Sequence, residues 1–200
     1  ESVQKGDHAG AIALLNTTLQ TQPQAARPRL LLGQLLLSQG QSRAAFDALA
    51  VLFERHDKAA PLAAASLVMA AKACDMETAA SRLLEAHYQA APCIDVLIAI
   101  TDVLLSRAST HSAAQTEALD RYLGHLQKHT SLMAASRWLT GERLGQASLP
   151  ESVQKALEHA TKPLARYRCA ACGFEAKEHF WHCPGCQAWD SYPPKRVEEL

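Results

Sequence analysis

The sequence predicts an all-α superhelix of helical repeats that ends in a small module built on four cysteines. Two observations lead to this prediction. Residues 1–160 are rich in alanine and leucine at helical spacing, and the pattern recurs at a fixed interval. Residues 161–200 instead contain four cysteines in two Cys-x-x-Cys pairs. The two parts therefore differ in how they are expected to fold, the first by packing helices and the second around a metal ion.

The helical part repeats with a period of 34 residues. Three positions recur at this spacing, namely Gly6, Gly40 and Cys74, then Ala11, Ala45 and Ala79, then Leu15, Leu49 and Leu83. A glycine at the turn between helices, a small residue five positions later and a large apolar residue after four more are typical of the tetratricopeptide repeat. The alanines let the two helices of a hairpin approach closely, and the leucines fill the groove between neighbours.

The residue pattern of each repeat predicts a pair of helices. The predicted helices cover residues 8–20, 27–39, 42–55, 61–73, 77–89, 95–106, 116–128, 132–143 and 151–160, with a longer turn at 107–113. Pro28 is tolerated because it falls in the first turn of its helix. The first repeat shows only its second helix, so we expect further repeat sequence upstream of Glu1.

Repeat arrays of this kind usually hold a peptide or a helix in a groove lined by the first helix of each hairpin. This predicts a protein partner. The candidate groove positions are Arg27, Gln34, Val68, Lys72, Ile98 and Asp102. The alternative interpretation is that these side chains only face solvent or the next repeat.

Four cysteines near the C-terminus have the spacing of metal ligands. Cys169 and Cys172 form one pair, and Cys183 and Cys186 form the second pair after ten intervening residues. Two such turns facing each other place four thiolates in a tetrahedron around one ion, which can be zinc or iron. Four protein ligands leave no open position for a catalytic water, so the site is not expected to be that of an enzyme.

The sequence around the cysteines supports a module that folds around its metal. Gly173 follows the first pair and can adopt the left-handed backbone that such a turn needs. Gln187 occupies the corresponding place after the second pair, so we expect the second turn to differ slightly from the first. Six of the eleven aromatic residues also lie here and predict a small β-rich module with an aromatic core: Tyr167, Phe174, Phe180, Trp181, Trp189 and Tyr192.

Other roles for the cysteines and their neighbours are less consistent with the sequence. Cys74 and Cys93 stand alone in helical sequence as small buried residues, which argues against a disulfide scaffold. A thioredoxin-like dithiol would need one pair in an α/β setting. His179 and His182 could each replace a thiolate as ligand, but four correctly spaced cysteines favour a supporting or surface position for both.

Charge and hydropathy exclude several classes of function. The chain has 20 basic and 20 acidic side chains, so no net charge attracts nucleic acid. No run of apolar residues reaches the length of about 18 that is needed to span a membrane. Because the sequence begins with Glu1 and lacks a targeting segment, we expect a fragment whose membrane anchor would lie upstream.

The segment RYRCAACGFEAKEHFWHCPGCQAWDSYPPKR, after tetratricopeptide helices, resembles the lipopolysaccharide assembly protein B family of Gram-negative bacteria. The resemblance is most specific over residues 166–194, and it places Cys169, Cys172, Cys183 and Cys186 at the metal-ligand positions of a rubredoxin-like module. It implies two domains: tetratricopeptide-like repeats at 1–162, truncated at the N-terminus, and a rubredoxin-like metal-binding domain at 163–200.

The same resemblance implies a function. Members of the family are adaptors, not enzymes, at the cytoplasmic face of the inner membrane. They promote degradation of the lipid A deacetylase by the membrane-bound ATP-dependent zinc metalloprotease, and they associate with lipopolysaccharide assembly proteins. For this chain these partners, and anchoring by an upstream segment, are expectations.

Two further functions remain as alternatives. The segment CPGCQAWDS is similar to the zinc ribbon of a bacterial recombination ATPase, a nucleic-acid-associated protein, but the chain has no Gly-x-x-x-x-Gly-Lys-Ser/Thr loop. A rubredoxin-type iron centre could instead carry electrons. An electron carrier needs no repeat array, which favours a structural role for the metal.

Overall fold

A computed structural model describes residues 7–55, 57–107, 111–142 and 150–200. Its helices are α1 (His8–Thr21), α2 (Ala26–Ser38), α3 (Ser42–Glu54), α4 (Ala60–Ala73), α5 (Glu77–Ala90), α6 (Ile94–Arg107), α7 (His111–Leu126), α8 (Leu132–Glu142) and α9 (Glu151–Leu164). Two short strands, β1 (Tyr167–Arg168) and β2 (Glu175–Ala176), and a 3-10 helix at Val197–Glu199 complete the described elements. The predicted fold class, tetratricopeptide helices followed by a small four-cysteine module, is confirmed.

Packing divides the chain into two compact units, residues 1–106 and 107–200. In the first unit α2 packs against both α1 and α3, and α3 packs against α4 and α5. From α2 to α5, each helix thus contacts its hairpin partner and a helix of a neighbouring repeat, as stacked hairpins require. The largest fully buried side chains between these helices include Phe53, Leu49, Leu67 and Leu84.

The hairpin of α2 and α3 is held at close range by a glycine. A Cβ atom added to Gly33 would lie 2.4 Å from both Cγ and Cδ2 of Leu49, which is itself fully buried. Only a residue without a side chain fits at this crossing. The sequence predicted close approach at the repeated alanines, and Ala45 is indeed fully buried, but the approach of α2 to α3 also depends on Gly33, which the repeat pattern did not single out.

The third repeat is spaced by 35 residues from the second, not by the predicted 34. Asp75 has the positive φ of 56° that matches the φ of 73° at Gly40. The amide of Met76 donates to the carbonyl of Ala71, as the amide of Gln41 donates to that of Leu36. The predicted equivalence of Cys74 with Gly40 is therefore wrong.

The same shift changes the buried positions of the third repeat. Ala80 and Leu84 are fully buried where Ala79 and Leu83 are only partly so. Residues 79 and 80 are both alanine, and residues 83 and 84 are both leucine. The sequence therefore fits a spacing of 34 residues and a spacing of 35 residues equally well.

The second unit contains α7, α8, α9 and the four-cysteine module, with α8 packed against both α7 and α9. Helix α7 starts at His111, so the predicted turn at 107–113 is wrong from that residue on, and residues 108–110 lie outside the described part. Helix α9 continues to Leu164, past its predicted end at residue 160. The predicted domain bounds, 1–162 and 163–200, describe sequence types rather than packing units and stay a prediction.

No helix among the described residues combines the length and the apolar character needed to cross a membrane.

Candidate metal centre

The structure brings the four predicted ligand sulfurs into one cluster. The Sγ atoms of Cys169, Cys172, Cys183 and Cys186 all lie within 4.8 Å of one another. Cys169 Sγ is 3.8 Å from Cys186 Sγ, and Cys172 Sγ is 3.7 Å from Cys183 Sγ. Four sulfurs bonded tetrahedrally at about 2.3 Å from one ion would lie about 3.8 Å apart. The donor set and its spacing fit one metal ion held by four cysteines.

Two turns of nearly identical backbone present these sulfurs. In the first turn, the Gly173 amide donates to the Cys169 carbonyl at 2.9 Å; in the second, the Gln187 amide donates to the Cys183 carbonyl at the same distance. Gly173 and Gln187 both adopt the left-handed conformation, with φ of 76° and 60°. The expectation that the second turn differs because it lacks glycine is therefore wrong: Gln187 adopts the same conformation at a steric cost.

Antiparallel pairing closes each turn, through β1 and β2 at the first and through an isolated bridge between His182 and Trp189 at the second. The amide of Cys169 donates to the Phe174 carbonyl, and the amide of Cys183 donates to the Ala188 carbonyl, both at 2.9 Å. The antiparallel pair β1–β2 places Arg168 opposite Glu175, and their side chains form an ion pair at 2.7 Å. Cys169 and Cys183 are buried as a result, whereas Cys172 and Cys186 are exposed.

Polar groups around the sulfurs set their ionisation in the absence of a metal ion. Ser191 Oγ lies 3.2 Å from Cys169 Sγ, and this hydrogen bond, despite burial, lowers the pKa of Cys169 to about 6. The Phe174 amide lowers the pKa of Cys172, but the sulfur of Cys186 and the loss of water outweigh it and raise that pKa to about 12. A thiolate is thus present near neutral pH, but an entering ion must also displace protons.

The Tyr192 side chain packs against the four-cysteine cluster. Its side chain is buried, its hydroxyl donates to the Phe174 carbonyl at 3.1 Å, and the same hydroxyl lies 3.9 Å from Cys183 Sγ. Burial and the nearby Cys183 sulfur raise the pKa of Tyr192 to about 12. The phenol therefore stays neutral beside the cluster.

Neither nearby histidine joins the four sulfurs. Nε2 of His179 lies 3.0 Å from the Tyr192 carbonyl and, since a carbonyl only accepts, donates to it; burial lowers the pKa of this imidazole. Its ring also contacts Trp181 and Tyr167 edge-on. His182 is exposed and stacks on Trp189, with ring centroids 4.5 Å apart. The sequence interpretation, a supporting or surface position for both histidines, agrees with these positions.

The aromatic core predicted for the module is only partly present. Tyr167 and Tyr192 are buried, but Phe174 is 44% exposed and Trp189 is 60% exposed. The two isolated cysteines were both predicted to be buried. Cys93 is buried, whereas Cys74, at the C-cap of α4, is only half-buried.

The candidate groove positions differ in exposure. Gln34, Lys72 and Asp102 are exposed, and Arg27 and Ile98 are partly so. Val68 is only 4% exposed and faces the helix packing, so its prediction as a groove position is wrong. It lies next to Met69, which is 60% exposed. Adjacent residues of a helix point about 100° apart, so an error of one residue in the assumed helix orientation exchanges an exposed position for a buried one.

The C-terminal residues connect the module to two helices of its own unit. Arg196 lies over the Tyr167 ring, 4.2 Å from its centroid, and its Nη1 donates to the carbonyl of Ala165 at the end of α9. The Glu198 carboxylate accepts from the amide of Met133 in the first turn of α8, at 3.1 Å. The module is thus fixed to the ends of α8 and α9.

No sequence pattern marks these supporting residues. Ser191 and Tyr192 follow Trp189 in the short stretch WDSY, which carries no spacing rule that marks a metal centre. Arg196 and Glu198 lie in a charged tail that reads as solvated surface. Their roles depend on contacts with residues up to 65 positions away, which no local pattern encodes.

Comparison with known protein families gives two matches. Residues 167–194 match a model described as a rubredoxin metal binding domain, and residues 2–73 match the tetratricopeptide repeat. Among curated proteins, lipopolysaccharide assembly protein B of Escherichia coli K12 is 55% identical over 31 residues, which is 16% of this chain and 8% of that protein. The protein of the same name from Haemophilus influenzae is 32% identical over 47 residues, 24% of this chain and 12% of that protein.

The matched stretches thus cover a small part of these relatives' lengths. The two domain types nevertheless occur in the order that the sequence predicts, and the most similar stretch contains the four-cysteine cluster. In its two matching domains, the chain is similar to the lipopolysaccharide assembly protein B family.

Proposed function

We propose that the chain is a non-catalytic adaptor in lipopolysaccharide assembly. The observation that carries this proposal is the four-sulfur cluster, in the stretch most similar to proteins named for that process. Four protein sulfurs would fill the coordination sphere of the ion, so the metal would hold the module together and bind no substrate. The helical repeats offer surface for binding other proteins.

In more detail, the proposed role is regulatory. The adaptor would act at the cytoplasmic face of the bacterial inner membrane and promote degradation of the lipid A deacetylase by the membrane-bound ATP-dependent zinc metalloprotease. The exposed Gln34, Lys72 and Asp102 on the first helices of successive hairpins are candidate contacts for such partners. These details rest on the family resemblance.

Complementation tests this role. Cells depleted of their native protein should accumulate the deacetylase, and a membrane-anchored version of this chain should restore its turnover. The same version carrying Cys169→Ser and Cys172→Ser should fail, while Cys74→Ser, outside the cluster, should succeed. Unchanged deacetylase levels on depletion would reject the regulatory role.

One-electron transfer through iron is the second candidate. It is favoured by the exposure of Cys172 and Cys186, which brings one edge of the cluster to solvent. Metal analysis and an absorption spectrum of protein purified without added metal distinguish the two functions. Colourless protein with one zinc per chain would exclude the carrier, whereas a coloured iron centre that cycles between two oxidation states would support it.

A further inference from the structure

The first repeats contain a long stretch without acidic residues. Between Asp7 and Asp47 the chain has three arginines, Arg27, Arg29 and Arg43, and no aspartate or glutamate. Arg43 forms an ion pair with Asp47 at 3.1 Å. Arg29, in the first turn of α2, has no acidic residue nearby in sequence.

A fourth arginine, at the end of α3, comes close to Arg29. Nη2 of Arg29 donates to the Pro23 carbonyl at 2.9 Å, and Nη1 of Arg55 donates to the same oxygen at 2.6 Å. The two nitrogens are therefore at most about 5.5 Å apart, the sum of those distances. Two like charges at this separation repel each other.

The arginines are held in place but not neutralised. Arg55 makes one further bond, to Oε1 of Gln24, and every acceptor that the described residues offer to Arg29 and Arg55 is uncharged. Each guanidinium has five N–H groups, so most of their donors have no acceptor from the described protein. Burial and the proximity of Arg55 lower the pKa of Arg29, as expected for a cation without a compensating anion.

The start of α2 adds to this imbalance at Arg29, whereas Arg55, the C-cap of α3, lies at a helix end that favours a cation. Arg29 lies in the first turn of α2, where the helix dipole disfavours a cation, and no side chain caps that end of the helix. The contacts with Pro23 explain how the turn between α1 and α2 is fixed. They do not explain why two arginines lie side by side, because one arginine is enough to donate to the Pro23 carbonyl.

We propose that Arg29 and Arg55 form a binding site for an oxyanion, a phosphate or a carboxylate group, beside the turn between α1 and α2. Two planar guanidinium groups held at this separation can donate to different oxygens of one such group. An oxyanion would remove the repulsion between them, and the shared Pro23 carbonyl fixes both in advance of binding. The site lies far along the chain from the cysteines and does not depend on the proposed function.

Titration of the 200-residue chain with inorganic phosphate, acetate or chloride at constant ionic strength tests this site. The Nε–H signals of Arg29 and Arg55 should shift saturably with phosphate or acetate in ¹⁵N nuclear magnetic resonance spectra. Whichever of the two binds more tightly identifies the group. Arg55→Gln should weaken binding about tenfold or more, because a charge-assisted hydrogen bond is lost.

Two further variants separate a site from general charge screening. Arg55→Lys keeps the charge but loses the planar fork, so it should bind with intermediate affinity. Arg43→Gln is the matched control, since Arg43 is already paired with Asp47, and it should bind as the unmodified chain does. Equal shifts with chloride, or equal weakening by the Arg43 and Arg55 variants, would overturn the proposal.

Discussion

Single residues with left-handed backbone define the turns that carry the sulfurs. Gly173 adopts this conformation without strain, but Gln187 adopts it with a Cβ atom that crowds its own backbone. The hydrogen bond from each residue to the preceding cysteine carbonyl is the same length in both turns. The second turn therefore holds the same geometry at a higher free energy.

Gln187→Gly should stabilise the metal-loaded module by about 1 kcal/mol, because glycine removes this steric cost. The measurement is the free energy of unfolding in denaturant, followed by tryptophan fluorescence. Gly173→Ala is the converse control and should destabilise by a similar amount, since it introduces a Cβ at φ of 76°. Equal stability of the Gln187 variant and the unmodified chain would show that the turn is not strained.

At the scale of elements, the close crossing of α2 and α3 depends on Gly33. Alanine is a better helix former than glycine by about 1 kcal/mol, but here its methyl group would overlap the buried Leu49. Overpacking of this kind costs about 1–3 kcal/mol. The packing penalty is therefore expected to exceed the gain in helix propensity.

Gly33→Ala should lower the free energy of unfolding of the repeats by about 1 kcal/mol or more, measured by denaturant unfolding followed by circular dichroism. Gly124→Ala in α7 is the matched control, because a Cβ there meets no atom within 4 Å. That variant should be neutral or slightly stabilising. Stabilisation by Gly33→Ala would contradict the close approach of α2 to Leu49.

The start of α8 is stabilised by Glu198, a residue near the C-terminus. Glu198 accepts from the Met133 amide, and Ser131 Oγ accepts from the Ala134 amide at 2.9 Å, so two of the free amides of the first turn are satisfied. A carboxylate also interacts favourably with this end of the helix dipole.

Glu198→Gln should destabilise the second unit by about 0.5–1 kcal/mol, because the charge at the helix start is lost. The Met133 amide should also exchange faster with solvent, which is measurable by hydrogen exchange. Glu178→Gln, at an exposed position of the same module, is the control and should leave this amide unaffected. Unchanged exchange of Met133 in the Glu198 variant would contradict the cap.

In the molecule as a whole, the four-cysteine module and the repeats are each stabilised by a different kind of interaction. The repeats bury leucine, phenylalanine and alanine side chains between helices, whereas the module leaves Phe174 and Trp189 largely exposed and has little apolar core. Folding of the module is therefore expected to depend on its ion, and folding of the repeats is not.

Cys169→Ser with Cys172→Ser should abolish metal binding and remove order around the cluster, while most of the helical circular dichroism signal remains. Cys74→Ser should keep its metal, since Cys74 lies outside the cluster. Full metal content in the double variant would show that the assignment of the ligands is wrong.

Metal affinity should also rise with pH. Without the ion the pKa of Cys172 is about 12, so this thiol is protonated at pH 7 to 9 and must lose its proton when the ion binds. Each displaced proton makes affinity rise about tenfold per pH unit, and affinity is lost as pH falls. Competition with a chelator at several pH values measures this slope, and a flat profile would contradict it.

The sequence alone predicted the helical repeats, the four clustered cysteines and the resemblance to a known family, because apolar periodicity and Cys-x-x-Cys spacing are local patterns that can be recognised without knowledge of packing. It did not determine the register of the third repeat, where adjacent Ala79 and Ala80 fit equally well and backbone hydrogen bonds select Ala80. Only the tertiary structure brought Ser191 to Cys169, Glu198 to Met133 and Arg55 to Arg29. Such contacts join residues distant in sequence, and their free energy exists only once the chain has folded.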